Sequence, residues 1–305
     1  MEIETLVYGI YPKSEKLRRI ISRYERNQVS TSDLALEFQA EKEEIIKRLT
    51  SLGINYFSDP ILNWYDLFRP LALILEGTYL GPLTRYRETN TFYRIPIIND
   101  ISRKKVSYEK LFEGKENPPT ELFSPPVSNR HLAILPGAHS FYGMSEVRDG
   151  ITEKAFSEHI SEMYSSILEK YGYTGAVIYD PLEYGDSSLE YLNPLMEKYS
   201  IYLVTSGKLR RQNFARTNGK LASVIVDPSR DNYALAAEQS EIPGLKVIDT
   251  GNTLIETNRI IADAISDSVG NEKIGKIIIA NNESLDFLPR QVADRKVSFM
   301  SGLGA

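Results

Sequence analysis

Four apolar runs in this chain stop at an aspartate. They are Phe57-Ser-Asp-Pro60, Ala176-Val-Ile-Tyr-Asp-Pro181, Ile225-Val-Asp-Pro228 and Val247-Ile-Asp-Thr250, and they end on Asp59, Asp180, Asp227 and Asp249. Carboxylates gathered around one cavity suit an ammonium group, a cation or a donor-rich ligand. Taken singly, each fits a helix cap or an Asp-Pro turn as well. Other side chains carry chemical options. Trp64, the sole tryptophan, offers a flat wall for a planar ligand, or simple core packing. Asp66 and Arg69 are three apart, so a helix makes them neighbours; they fit an ion pair, and Arg69 also fits a carboxylate ligand. His139 fits an acid/base role or a lone metal ligand. Arg85, Arg87 and Arg94 alternate with Tyr86, Phe92 and Tyr93, a pattern for a polyanion or for a solvated hairpin face.

The bulk composition narrows the chemistry. The 305 residues are 42% apolar, enough for a full core. The net charge of −5, from 36 basic and 41 acidic residues, gives no pull toward nucleic acid or an anionic membrane. There is no cysteine, which removes disulfides, thiolate metal sites and thiol nucleophiles. With three histidines, His131, His139 and His159, a metal centre would rest on carboxylates, and none is expected. The opening residues lack a signal-peptide pattern and no apolar run approaches the ~20 residues of a spanning helix, so a cytoplasmic protein is expected.

Eight short apolar or β-branched segments read as strands, at residues 4–9, 54–58, 131–135, 175–179, 200–204, 222–226, 245–248 and 276–280. Helical patterns lie between most of them. In the clearest, residues 32–52, Leu34, Phe38, Ile45, Leu49 and Leu52 form one stripe between Ser/Thr caps and Gly53. A second follows Thr152 and ends at Gly172; others span 190–198, 231–239 and 254–267. Strand-helix repetition with eight strands predicts an α/β fold, a (β/α)8 TIM barrel spanning residues 1–305 as one domain. A long gap between the second and third strands predicts a hairpin and loop insertion over 83–130, with Pro-Pro pairs at 118–119 and 125–126. In such a barrel all strand ends converge on one mouth. The residues expected there are Asp59, Trp64, Asp66, Arg69, His139, Asp180, Asp227, Arg230 and Asp249.

With these elements placed, the chain resembles the cobalamin-independent methionine synthase family. The resemblance is carried by Gly9-Ile-Tyr-Pro-Lys-Ser-Glu-Lys-Leu-Arg18, by Asp59-Pro-Ile-Leu-Asn-Trp-Tyr-Asp-Leu-Phe-Arg-Pro70 and by Leu135-Pro-Gly-Ala-His-Ser140. Ile178-Tyr-Asp-Pro-Leu182, Val226-Asp-Pro-Ser-Arg230 and Leu245-Lys-Val-Ile-Asp249 continue it in order.

The resemblance implies homocysteine methylation at a zinc-bound thiolate, with zinc held by His-x-Cys, a Glu and a second Cys. Those positions are occupied here by Val204-Thr-Ser206, Asp227 and the neighbourhood of Ser284. Further family positions fall on Ile10, Ile61 and Gly251. The chain has the length of one barrel and is similar to the N-terminal, zinc-free type. The implied function is an auxiliary or non-catalytic subunit of methionine biosynthesis, with no cofactor of its own. Its partner would be a separate zinc-bearing catalytic barrel, and a folate or corrinoid would supply the methyl group. The alternatives are an active homocysteine methyltransferase, folate- or corrinoid-dependent, and a diverged small-molecule binding protein.

Overall fold

The computed structural model describes residues 1–87, 91–113, 120–270 and 275–304. The first part of the chain forms β1 (Glu2–Val7), α1 (Glu15–Glu25), α2 (Thr31–Ser51), β2 (Tyr56–Ser58), α3 (Phe68–Ile74), β3 (Thr78–Arg85) and β4 (Phe92–Ile98). The middle forms β5 (His131–Pro136), α4 (Ala138–Gly143), β6 (Glu146–Val147), α5 (Glu153–Tyr171), β7 (Gly175–Asp180), α6 (Asn193–Met196) and β8 (Ser200–Thr205). The last part forms β9 (Leu221–Val226), α7 (Arg230–Gln239), β10 (Ser240–Ile248), α8 (Asn258–Val269), β11 (Lys276–Asn281) and α9 (Arg290–Ser301).

The eight expected strands close into a barrel in the order β1-β11-β10-β9-β8-β7-β5-β2. Neighbouring strands run parallel; β7 and β8, for example, pair from Gly175 with Ser200 to Asp180 with Thr205. Every residue of β5 and β7 is buried, because side chains fill the barrel on one face and meet helices on the other. Truncating such a residue, for instance Leu203→Ala, costs ~2–5 kcal/mol through lost transfer energy and the cavity left behind.

The helices follow their sequence signals. In α2, Leu34, Phe38, Ile45 and Leu49 are buried, and the Ser30 side chain accepts from the Asp33 amide at 3.1 Å. Thr152 caps α5 in the same way, and Gly172 ends it at φ 74°. Two expectations shift. The pattern at 190–198 resolves into a 3-10 turn and the four-residue α6, which begins with Asn193-Pro194. The helix expected from 254 starts at Asn258, where Thr257 supplies the cap, and Leu254 stays exposed.

The segment between β2 and β5 carries α3 and an antiparallel β3–β4 hairpin that starts at Thr78, five residues before the expected insertion boundary. β6, unforeseen from the sequence, adds a short parallel rung to β4. Leu75 and Val106 bridge the rest of the segment back to α3. The pair Pro118-Pro119 lies outside the described residues. Among the described residues no helix is long and apolar enough to cross a membrane.

Candidate functional site

The hairpin brings Tyr86, Phe92 and Tyr93 to the carboxyl end of the barrel, where they meet Tyr179 of β7 and Glu283 just past β11. Together with Phe68, Asp66 and Asp286 they line a cavity of about 360 Å³. Its inner wall is a continuous aromatic surface. Phe68 and Tyr93 have ring centres 5.7 Å apart, and Tyr93 meets Tyr86 edge-on at 5.9 Å. Tyr179 contacts Tyr8, which follows β1, at 5.4 Å. Tyr179 donates to Glu283 Oε2, while Arg87 Nη1 holds Oε1 at 3.0 Å. Burial raises both Tyr8 and Tyr179 well above the usual phenol range, with Glu283 adding to the effect, so both stay protonated donors. A second recess of about 720 Å³ adjoins the first, sharing Tyr86, Glu283 and Phe287 and adding Arg87, Asp249 and Asn282.

Asp66 sits on the inner side of this cavity, 8% exposed, with Oδ1 accepting from the amides of Phe68 at 2.9 Å and Arg69 at 2.6 Å. It starts α3 as a cap. Burial nevertheless pushes its carboxyl up to about 6 against those hydrogen bonds. Arg69 contributes its backbone amide to this cap.

The expectation that four aspartates ring one cavity is corrected by the structure. Asp59 is fully buried and faces Lys42 at 3.1 Å; it also accepts from the amides of Ile61 at 2.9 Å and Ser124 at 2.8 Å. It holds Ile61, a β-branched residue, at φ 41°, so its work is to organise the loop after β2. Asp180 is fully buried too. It accepts from the Ser140 amide at 2.8 Å and from Tyr184, and caps the turn into α4. Gly137 is required beside it, since an added Cβ would lie 1.7 Å from Asp180 Oδ2.

Asp227 and Asp249 do reach the mouth, in separate places. Asp227 accepts from the Gly207 amide at 2.8 Å and lies in a shallow recess with Arg230, whose Nε donates to the Asp267 carbonyl at 3.2 Å. Asp249 accepts from the Gly251 amide at 2.9 Å and from Asn282 at 3.1 Å. Trp64 is 1% exposed and belongs to the core, which corrects its expected place as a ligand wall. His139 does not line the aromatic cavity. It bridges Glu153 at 2.9 Å and the Glu183 carbonyl at 2.9 Å, and stacks on Tyr184. Burial alone would lower its pKa, but Glu153 and Asp180 raise it on balance.

The zinc-ligand positions implied by the resemblance hold something else. Lys246 of β10 points inward with its side chain 1% exposed; Nζ lies 2.9 Å from Asp227 Oδ1 and 2.8 Å from Ser206 Oγ. Ser284 Oγ accepts from the Ile10 amide at 2.7 Å, in a contact so close that Gly9, at φ 92°, has no room for a side chain. Among the described residues no three His, Asp or Glu side chains are grouped to hold a metal. One carboxylate and two committed hydroxyls do not fit a tetrahedral zinc site, which needs soft or imidazole donors.

Sequence reasoning missed Tyr8, Tyr179, Lys246 and Glu283. For Lys246 a signal existed: one charge inside the strand Leu245-Lys-Val-Ile248, on an inward register. For the tyrosines none did, because an aromatic in a buried strand reads as core.

The fold has solved counterparts. The chain is similar to a B12-independent methionine synthase from a Shewanella species, solved in complex with selenomethionine. The TM-score is 0.66 and the identity 13%, over 100% of this chain and 97% of that one. A putative vitamin-B12-independent methionine synthase from Listeria monocytogenes aligns with TM-score 0.66 and 11% identity, over 97% of this chain and 95% of that one. At such identities the likeness establishes the barrel fold. No family model and no curated protein matches the chain.

Proposed function

We propose that this methionine-synthase-like barrel is an auxiliary subunit of homocysteine methylation, binding a small molecule at its mouth beside a separate zinc-bearing barrel that performs the transfer. The observation that carries this reading is Lys246. Its ammonium group bonds Asp227 and Ser206, two of the residues that stand at the zinc-ligand positions of the resemblance. A fixed ammonium compensates the Asp227 carboxylate as a metal would, but it cannot lower a thiol's pKa by coordination. The chain's own residues therefore bind and orient. Tyr179 and Arg87 fix Glu283, and the hairpin aromatics cover the ligand. A folate or a corrinoid would be the methyl source of the pair; a corrinoid would exceed the 360 Å³ cavity and lie across the open face. Such a role belongs to the cytoplasm.

A second reading has support of its own. The Shewanella chain, of similar length, is named a methionine synthase and was solved with selenomethionine, so a single barrel of this shape accommodates an amino acid. The second reading makes this chain a methyltransferase in its own right. The deciding experiment measures methionine formation from homocysteine and a methyl donor, with this protein alone and mixed with a zinc-bearing barrel. Stimulation only in the mixture supports the auxiliary role. Turnover by this protein alone refutes it, and no effect in either arrangement leaves a binding protein outside methyl chemistry.

A further inference from the structure

We propose that the hairpin-covered cavity binds a small onium cation, a sulfonium or quaternary ammonium centre on a short chain. This rests on reading the mouth as a ligand site and narrows the class of ligand. The cavity, about 360 Å³, lies at the small end of the range for organic ligands.

Three features select the charge. Seven of the fourteen lining residues are aromatic: Tyr65, Phe68, Tyr86, Phe92, Tyr93, Tyr179 and Phe287. Ring faces attract cations electrostatically, most strongly where water is excluded, and Tyr93, Tyr179 and Phe68 are buried. Three further lining residues are the carboxylates Asp66, Glu283 and Asp286. Among the described residues lining this cavity there is no lysine, arginine or histidine. The cations nearby are turned to other duties. Arg87 belongs to the adjoining recess and holds Glu283, and Lys13 Nζ stands 4.6 Å from the Tyr65 ring centre, already a cation on an aromatic face. The lining itself supplies three carboxylates and no cation; Glu283 is paired with Arg87 from the adjoining recess, and Lys13 and Arg69 lie near Asp286 and Asp66.

A fourth feature selects onium over primary ammonium. A primary ammonium carries N–H donors that need acceptors. Several of the acceptors here are already engaged. Asp66 Oδ1 takes two backbone amides, and Glu283 takes Tyr179 on one oxygen and Arg87 on the other. The carboxylates therefore offer negative potential more than free lone pairs. A methylated, weakly hydrated cation asks for that, together with broad aromatic contact.

Titration calorimetry of the full chain with trimethylsulfonium, tetramethylammonium and choline tests this, alongside methylammonium and 3,3-dimethylbutanol, the neutral carbon analogue of choline. Saturable binding of the onium probes is expected, with choline about tenfold tighter than its neutral analogue. Trimethylsulfonium is expected to bind tighter than methylammonium, and Tyr86→Leu and Glu283→Gln each to weaken the onium probes several-fold. Equal affinity for choline and the neutral analogue, preference for methylammonium, or no saturable binding of any onium probe overturns the proposal. The comparison of probes on the unmodified protein decides the matter if a variant fails to fold. No methyl transfer is read, so this outcome is independent of whether the barrel acts as an auxiliary subunit.

Discussion

Asp66 is a carboxyl that the fold holds in an unfavourable state at neutral pH. It is 8% exposed, and burial raises it from an ordinary value near 3.8 to about 6. A raised carboxyl favours the folded state below the unfolded pKa, and that advantage is lost as pH rises through the folded one. The shift of about two pH units corresponds to ~3 kcal/mol over the whole range, of which ~2 kcal/mol falls between pH 4.5 and 7.5. Asp66→Asn removes the titration while its Oδ1 still accepts from the amides of Phe68 and Arg69. Any change in the other hydrogen bonds adds a constant offset. The assay is urea denaturation of both proteins across that pH interval, read as the difference in unfolding free energy. The variant is expected to gain ~2 kcal/mol on the parent as pH rises from 4.5 to 7.5. A difference that stays flat, or that moves the other way, would show that Asp66 titrates normally and that the cavity does not desolvate it.

Asp59 behaves in the opposite sense. Burial pushes it up, but Lys42, His131 and the amides of Ser124 and Ile61 outweigh burial and hold it below its ordinary value. Its contribution is present above the unfolded pKa and lost as pH falls through the folded one. Asp59→Asn leaves the Lys42 ammonium buried without a counter-charge and is expected to cost ~3–5 kcal/mol in denaturant titration, part of which Lys42→Met in the same chain restores. Gly137→Ala forces a methyl into the Asp180 carboxylate and is expected to cost at least ~2 kcal/mol at every pH; a neutral outcome would mean the turn into α4 relaxes freely.

The barrel was legible because eight apolar strands and their helices leave few other ways to bury both strand faces. The caps at Ser30 and Thr152 and the stop at Gly172 were legible for the same local reason, since each satisfies backbone groups that a helix end must satisfy. The site was far less legible. Asp59 and Asp180 share their strand-end position with Asp227 and Asp249, yet a strand-end residue points inward, outward or into its own turn depending on the loop that follows, and sequence does not display that. The hairpin arginines and tyrosines were visible as a pattern, but their meeting with Glu283, some 196 positions away, is a product of barrel closure. Lys246 broke a local rule in plain view, a charge within a buried strand.

Zinc stoichiometry tests the centre of the account most directly. The purified full-length chain is equilibrated with excess zinc, dialysed, and measured by elemental analysis against protein concentration. With Lys246 bonded to Asp227 and Ser206, the expected content is far below one ion per chain. One zinc retained per chain, lost on replacing Asp227 by alanine, would contradict the account.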